Sequence, residues 1–399
     1  MKVLIINTFY YPHEIGGAEK SVRILAEGLV KKDIDVTVLC LSDRGILENN
    51  IINGVNIYRV PVKNIYNPAV LSANANKPGK FKRLGWHFID MYNIFSCAYV
   101  SRIMEQQFDI VHTNNLSGFS VSLWSWAKRN KIPILHTSRD YYLFNPNCTL
   151  YSNGKNENPA SFKIKFLSYI KKTVSRKVNG YIGISNYIHN LHLEHGFFSH
   201  SKVSGVIYNS IGRTSDTNYQ KQRSLTLSLG YVGRLDDAKG IDKIIDYLKN
   251  TNLQFSLKIA GKGEERFVSK LQEKCNGDSR FLFVGHVGIN EYFQNIECLI
   301  CPSIWNEPMG RVVIEAYSYG VPVIANKVGG VQELIEVGKT GFLFDINSSE
   351  SLISALSQYQ KATYSSLIGN CLRKAMDFND EKYVNSYVDV YNKLIRQIN

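Results

Sequence analysis

Ser228-Leu-Gly-Tyr-Val-Gly233-Arg-Leu-Asp-Asp-Ala-Lys239-Gly-Ile-Asp-Lys-Ile-Ile-Asp-Tyr-Leu-Lys-Asn250 decides the architecture. It reads as a strand over 228–233, a polar loop, and a helix over 241–250. A strand handed to a helix in this way is the repeating unit of a parallel α/β layer. Downstream the alternation continues, with strands expected at Phe255–Ala260, Arg280–Val284, Cys298–Pro302, Pro322–Ala325 and Gly341–Phe344. Helices are expected between them at Glu264–Cys275 and Gly310–Gly320, and a last one at Ser349–Lys361. Upstream the same pattern gives strands at Val3–Thr8, Asp35–Leu41, Val55–Val62, Asp109–Thr113, Ile132–Thr137 and Gly180–Ser185. Ala18, Val22, Leu25, Ala26, Leu29 and Val30 recur at helical spacing, which predicts an amphipathic helix over 18–31.

The repeat breaks near Ile207-Tyr-Asn-Ser-Ile-Gly212, and the polar stretch Arg213–Ser224 that follows has no periodicity and reads as a loop. The 399 residues therefore divide into domains 1–207 and 208–379, each expected to be a doubly wound, Rossmann-like parallel sheet. Facing each other across a central cleft, the two sheets would present the carboxyl ends of their strands to it, where such sheets bind ligands. Tyr383, Tyr387, Val390, Tyr391 and Leu394 give the tail 380–399 one helical face, expected to pack back on the first domain.

Composition narrows the function classes. With 44% hydrophobic and 20% charged residues the chain is globular, and the disordered class is excluded. No window reaches the apolar length of a spanning helix, and the apolar start Met1–Ile6 is too short for a signal peptide. Seven scattered cysteines suit free thiols in a reducing compartment, so the expected location is cytoplasmic. Cys298 and Cys301 match C-x-x-C by spacing but lie in an apolar run, the mark of a strand core. The formal charge of +13 is local: residues 51–180 carry 18 Lys and Arg against 5 Asp and Glu, and the rest of the chain is near neutral.

Four side chains in the second half could carry chemistry. Gly233 ends a strand where a backbone can approach a ligand closely. Arg234 and Lys239 follow it, two cations suited to a diphosphate leaving group. Alone, the segment reads equally well as two solvated surface cations. Next comes Ser303-Ile-Trp-Asn-Glu307-Pro-Met-Gly-Arg-Val-Val-Ile-Glu315, with Glu307 before a helix, Gly310 at its entry and Glu315 two turns in. Free N–H groups at a helix entry suit a phosphate or sugar hydroxyls, and two carboxylates at this spacing could hold both ends of a nucleotide sugar. Taken singly, such glutamates are ordinary helix residues. Combined with Arg234 and Lys239, the functional reading prevails.

Gly233-Arg234 with Lys239, Glu307-x7-Glu315, Gly320-Val-Pro-Val-Ile-Ala325 and Val328-Gly-Gly-Val-Gln-Glu333 together resemble the retaining family-4 glycosyltransferases of the GT-B fold. The early loop Tyr11-Pro-His-Glu-Ile-Gly16-Gly17-Ala-Glu19 is also similar to theirs, so the resemblance spans nearly the whole chain. It implies that Arg234 and Lys239 contact the donor diphosphate and that Glu307 meets the donor sugar. The backbone of Met309, Gly310 and Arg311 would lie close to both. Glu315 would hold the ribose, the loop at His286 and Val287 the base, and Gly16 and Gly17 would close on the phosphates. It further implies retention of anomeric configuration, with no metal and no other cofactor.

One position departs from that pattern. The family often shows Thr-x-His-Asp, whose His approaches the donor sugar, whereas this chain reads His136-Thr137-Ser138-Arg139-Asp140. Arg139 is expected to grip sugar or diphosphate in the place of that His, with Asp140 fixing its orientation. His112, His136, Asp140 and Glu19 are acceptor or cleft candidates, although a lone strand-end His such as His112 is more often structural. Asp33 and Asp35 match a metal-binding Asp-x-Asp by letter, but they sit at the amino end of a strand.

Between 51 and 180 the cations interleave with large apolar residues, as in Lys77-Pro-Gly-Lys-Phe-Lys-Arg-Leu-Gly-Trp86 and Phe162-Lys-Ile-Lys-Phe-Leu-Ser-Tyr-Ile-Lys-Lys172. Such segments suit the anionic cytoplasmic face of an inner membrane; a solvated face is the bland alternative. No nucleic-acid motif accompanies them. The expected function is transfer from a UDP- or GDP-sugar to a polyprenyl-diphosphate-linked glycan in bacterial O-antigen, capsule or lipopolysaccharide synthesis. The competing readings are a sugar-nucleotide epimerase on the same fold and a non-catalytic basic binding protein.

Overall fold

The computed structural model describes residues 1–14, 16–67, 78–212 and 222–397. They form two compact units. The first holds Met1–Leu150, Asn158–Gly212 and the closing segment from Asp380; the second holds Tyr151–Glu157 and the chain up to Asn379. Most of the loop expected at 213–224, and Lys77 of the first basic segment, lie outside the described residues.

The first unit and its inserted hairpin run β1 (Lys2–Ile6), α1 (Gly17–Val30), β2 (Asp35–Leu41), β3 (Glu48–Ile52), β4 (Val55–Val60), α2 (Lys80–Met91), α3 (Ile94–Ile103), β5 (Ile110–Thr113), α4 (Ser122–Arg129), β6 (Ile134–Ser138), β7 (Tyr151–Ser152), β8 (Lys155–Asn156), α5 (Phe162–Ser175), β9 (Gly180–Gly183), α6 (Asn186–Glu194) and β10 (Val203–Val206). Eight strands make one sheet in the order β10-β9-β6-β5-β1-β2-β4-β3. All run parallel except the edge strand β3, which returns on β4 through Asn53-Gly54, both at positive φ. That dipeptide is the favoured tight hairpin turn. In β1, Val3–Ile6 are fully buried, as a strand covered on both faces must be.

The second unit contains β11 (Leu227–Val232), α7 (Ile241–Lys249), β12 (Phe255–Ala260), α8 (Glu265–Lys274), β13 (Phe281–Gly285), α9 (Ile289–Gln294), β14 (Cys298–Cys301), α10 (Arg311–Tyr317), β15 (Val323–Asn326), β16 (Gly341–Phe344), α11 (Ser349–Lys361) and α12 (Tyr364–Ala375). Its six strands are all parallel, in the order β13-β12-β11-β14-β15-β16. Ile241, Ile244, Ile245 and Leu248 bury the apolar stripe of α7 in a core shared with Leu229, Leu257 and Ile300. Cys298 and Cys301 are buried in β14.

The last helix, α13 (Asp380–Arg396), belongs to the first unit, where Tyr383, Tyr387, Tyr391 and Leu394 join the core of Val3, Leu25 and Leu29. A β-carbon on Gly28 of α1 would stand 2.4 Å from Val384 Cγ2, so the two helices touch closely there.

The structure moves the domain boundaries read from the sequence. The first unit extends to Gly212 because Asn209 and Gly212 are held inside it, the latter by an N–H donated to Asp380 Oδ1 at 3.0 Å. Residues 151–157 fall within the first domain as read from the sequence, but they form the hairpin β7–β8 and lie in the second unit.

Candidate active site

In the second unit the chain winds outward from β11 to β12 and β13 on one side and from β14 to β15 and β16 on the other. The direction reverses between β11 and β14, which pair through Leu229–Cys298 and Gly230–Leu299. Loops leaving the carboxyl ends of two strands diverge at such a point and leave a crevice. The loop after β11 carries Arg234 and Lys239; the loop after β14 carries Ser303 and Glu307.

The two loops are joined there. Lys239 Nζ lies 2.6 Å from Glu307 Oε1, and the Ser303 hydroxyl donates to the same oxygen. Ala238 O accepts from the N–H groups of Ile304 (2.8 Å) and Trp305 (3.2 Å), and Gly330 N–H donates to Glu307 O (2.8 Å). Burial pushes the Glu307 carboxyl up, but the Lys239 ammonium and the donations from Lys239 and Ser303 outweigh it and hold it below its ordinary value. Arg234 is mostly exposed and stands 3.3 Å from Asp236 Oδ2, so its guanidinium is accessible for a ligand.

Close backbone packing fixes these loops. Gly261, at φ +143°, follows β12, and a β-carbon there would meet Gly233 O at 1.8 Å. Gly329 would collide with Glu307 O at 2.3 Å. No larger residue fits either position, so each brings one loop against the next. Gly310 (φ +91°) opens α10, Met309 before it is buried, and Arg311 Nε donates to Glu315 Oε1 at 2.9 Å along the helix. His286 and Val287 follow β13, His286 exposed and Val287 half-buried. Every donor-side residue expected from the sequence in this unit thus follows the carboxyl end of a strand or lies on α10.

In the first unit the reversal lies between β1 and β5. Thr8 Oγ1 donates to Asn115 Oδ1 (2.7 Å), and Asn115 Nδ2 donates to Asp140 Oδ2 (2.5 Å). Asp140 Oδ1 accepts from Tyr142 N–H (2.7 Å). Gly16 and Gly17 begin α1, and Gly16 N–H donates to Glu19 Oε2 at 2.9 Å. Burial raises the carboxyls of both Glu19 and Asp140, and the charge of Asp140 raises Glu19 further. These two acids, with Asn115 and Thr8, are among the polar groups placed at that switch point.

Three expectations are corrected. His112 is fully buried, its Nδ1 2.7 Å from Tyr391 OH and its Nε2 2.8 Å from Thr137 Oγ1, so both ring nitrogens are used inside the core. His136 is buried too, paired through Nδ1 with Thr113 Oγ1 (2.9 Å) and stacked on Phe198. Burial lowers both imidazoles well below 6.5, and neither is a cleft residue. Arg139 is 5% exposed and donates from Nε to Asn114 Oδ1 (2.8 Å), from Nη1 to Asn209 Oδ1 (2.5 Å) and from Nη2 to Tyr383 OH (2.9 Å). It ties the ends of β5, β6 and β10 to α13 rather than gripping a sugar, and Asp140 orients Asn115, not Arg139.

Ser303, Asn115 and Gly261 were not singled out in the sequence. A Gly-x-Gly after a predicted strand, Gly261-Lys-Gly263, was the signal for the last; the other two carry none that is local. Among the described residues no three His, Cys, Asp or Glu side chains are grouped to hold a metal ion.

Two parallel α/β units, each with polar loops at its switch point and one with a cation–carboxylate pair there, define the class of the GT-B glycosyltransferases. Residues 15–212 match the model of Glycosyltransferase Family 4 and residues 220–365 that of Glycosyl transferases group 1. A protein of the cps region of Klebsiella pneumoniae is 38% identical over 354 residues, 88% of this chain and 92% of that one. The sucrose-phosphate synthase of Thermosynechococcus elongatus superposes with TM-score 0.76 at 19% identity, over 99% of both chains. Anabaena HepE in complex with UDP and glucose superposes with TM-score 0.70 at 18% identity, over 99% of this chain and 100% of that one. The chain belongs to glycosyltransferase family 4 and is a glycosyltransferase of the GT-B fold.

Proposed function

We propose that the protein transfers a sugar from a nucleoside-diphosphate sugar, with UDP or GDP as leaving group, to a lipid-linked glycan, with retention of anomeric configuration and without a metal. The observation that carries this reading is the Lys239–Glu307 pair at the second unit's switch point, with Arg234 accessible on the same loop as Lys239. Lys239 and Arg234 would neutralise the departing diphosphate, and Glu307 would accept hydrogen bonds from the donor sugar. Glu315 would hold the ribose and the 285–287 loop the base. UDP and glucose in the HepE structure support a nucleotide-sugar donor, and the cps region of the Klebsiella relative supports a place in surface-polysaccharide synthesis.

The acceptor side carries the excess cations. Phe81, Leu84 and Phe88 of α2 and Phe162, Phe166 and Tyr169 of α5 are all exposed beside Lys80, Lys82, Arg83, Lys163 and Lys165. Not every cation of the segment lies outside, since Arg59, Arg139 and Lys171 are buried. Such faces suit an anionic membrane, each near-surface cation contributing about 1 kcal/mol. No helix among the described residues is long and apolar enough to cross one, so the association would be peripheral, from the cytoplasm. The test is incubation with UDP-, GDP-, ADP- and dTDP-sugars, following release of the nucleoside diphosphate, together with flotation on vesicles with and without anionic lipid. Turnover of one donor and anionic-selective flotation are expected; no turnover of any donor defeats the reading.

A further inference from the structure

The hairpin β7–β8 branches from the chain of the first unit into the second. Its tight turn, Asn153-Gly154, has both residues at positive φ, and the side chain of Asn156 projects onto the loop that leads into Glu307. Asn156 Nδ2 donates to Ile304 O at 2.9 Å, and Asn156 Oδ1 accepts from Asn306 N–H at 3.0 Å. One carboxamide thus satisfies a carbonyl and an N–H two residues apart, as a neighbouring strand would.

The same short segment is also held to the turn of Lys239, because the N–H groups of Ile304 and Trp305 both donate to Ala238 O. Ala238 precedes Lys239 and Asn306 precedes Glu307. The segment 304–306 is therefore clamped between the hairpin and the turn of Lys239, one residue away from each member of the ion pair. Tyr151, on the same hairpin, is raised to about 12 by burial and by the charges of Asp237, Asp242 and Asp236, which places it near that turn. The hairpin is continuous in sequence with the segment after β6 that carries Asp140.

We infer that Asn156 is a positioning residue for the donor site: its carboxamide holds the 304–306 segment so that Glu307 stays in register with Lys239. The inference rests on the reading of Glu307 as a donor-sugar ligand. The backbone groups it binds are at the solvent edge, where water competes, so the effect is one of geometry more than of stability. A displacement of a substrate-facing carboxylate is expressed in turnover while remote parts of the donor still bind.

The experiment compares Asn156→Ala, Asn156→Gln and the hairpin control Lys155→Ala with the wild type. The donor turned over in the panel above gives kcat and KM, and the nucleoside monophosphate of that donor (UMP where it is a UDP-sugar) serves as a probe of the nucleoside end. Hydrogen exchange of peptides covering 303–309 is followed without any ligand. Asn156→Ala is expected to speed exchange at 304–306 by about tenfold and to lower kcat/KM by about tenfold, with affinity for the monophosphate unchanged. Asn156→Gln, whose longer arm misplaces the same two groups, is expected to fall between, and Lys155→Ala to match the wild type. Unchanged exchange at 304–306 in Asn156→Ala overturns the inference whatever the donor. So does an equal loss of monophosphate affinity and turnover, which marks general loosening. If Asn156→Ala perturbs exchange as expected but Glu307→Gln and Lys239→Ala keep full turnover, the donor-site reading fails, and with it the role given to Asn156. If those two variants are inactive and Asn156→Ala is not impaired, only the positioning role fails.

Discussion

Replacing Lys239 by Ala tests the centre of the donor site through stability as well as turnover. In the wild type the ammonium lies 2.6 Å from a carboxylate whose side chain is 10% exposed, while the lysine side chain is 18% exposed. Removing one partner of a buried pair leaves the other charged and unpaired, at a cost of about 3–5 kcal/mol. Here the Ser303 hydroxyl still donates to Glu307 and water reaches the vacated space, so the loss at pH 7.5 should sit at the low end, about 3 kcal/mol. The pH dependence follows from the direction of the Glu307 shift. Its carboxyl is held below its ordinary value, so the wild-type pair contributes stability that is complete above the unfolded carboxyl value and lost as pH falls through the folded one. Without the ammonium, burial dominates and the carboxyl titrates higher, so the variant gains relative stability as the acid neutralises it. The difference between the two proteins should therefore be largest at neutral pH and shrink steadily through the carboxyl range. Urea unfolding followed by hydrogen exchange of β11 and β14 peptides isolates the second unit's transition. A difference below about 0.5 kcal/mol at pH 7.5, typical of a surface pair, or one that does not shrink in acid, refutes the buried-pair reasoning.

Three further perturbations separate the groups of the first unit. Arg139→Lys removes donors from Asn114, Asn209 and Tyr383 at once and should cost about 2–3 kcal/mol of first-unit stability, while donor turnover per folded molecule persists; a normal fold with lost donor turnover would restore a ligand role to Arg139. Asp140→Asn should leave donor hydrolysis intact and lower transfer to an acceptor by about tenfold or more, and an unchanged transfer rate removes Asp140 from the acceptor site. His112 is held neutral by burial, its value depressed below 6.5, so its contribution is complete above that pH and lost as the pH falls below it. His112→Phe should cost about 2 kcal/mol at neutral pH by stranding the Tyr391 hydroxyl, Thr137 keeping Tyr387 OH, should flatten the acid slope, and should not alter turnover per folded molecule; loss of turnover without loss of stability would contradict a core role.

What the sequence disclosed follows from how local each feature is. Central strands such as β1 and β14 are short apolar runs between turn residues, and they were read within one or two residues. The edge strand β3 escaped because Glu48-Asn-Asn-Ile-Ile52 has no alternation to show, although Asn53-Gly54 announces its turn. The candidate donor residues of the second unit could be placed because each sits a few residues after a strand or on α10, and strand ends can be counted. Arg139 has the same placement and was misread. Its partners come from β5, the segment after β10 and α13, and nothing within reach of Arg139 in the chain announces Asn209 or Tyr383. The burial of His112 depends on Tyr391, 279 residues away. Three tyrosines at helical spacing announced a buried face on α13, but not that their hydroxyls would meet the polar side chains of the sheet.

The contrast between the two switch points bears on which candidate residues the sequence could place. In the second unit the loops are set by backbone contact: Gly261 against Gly233, Gly329 against Glu307, Ile304 and Trp305 on Ala238. Contacts of that kind demand particular residues at fixed offsets from a strand, so they leave a motif. In the first unit the corresponding ends are joined by side chains, Thr8 to Asn115 to Asp140 and Arg139 to Asn114, Asn209 and Tyr383. Side-chain networks tolerate other solutions with the same geometry, so they leave none. The hairpin adds Asn156, a further side-chain clamp on the second unit's site beside the Lys239–Glu307 pair and the Ser303 hydroxyl. It lies in the same segment between β6 and α5 as Asp140, so one stretch of chain carries both an acid of the first unit's switch point and a hold on the loop before Glu307.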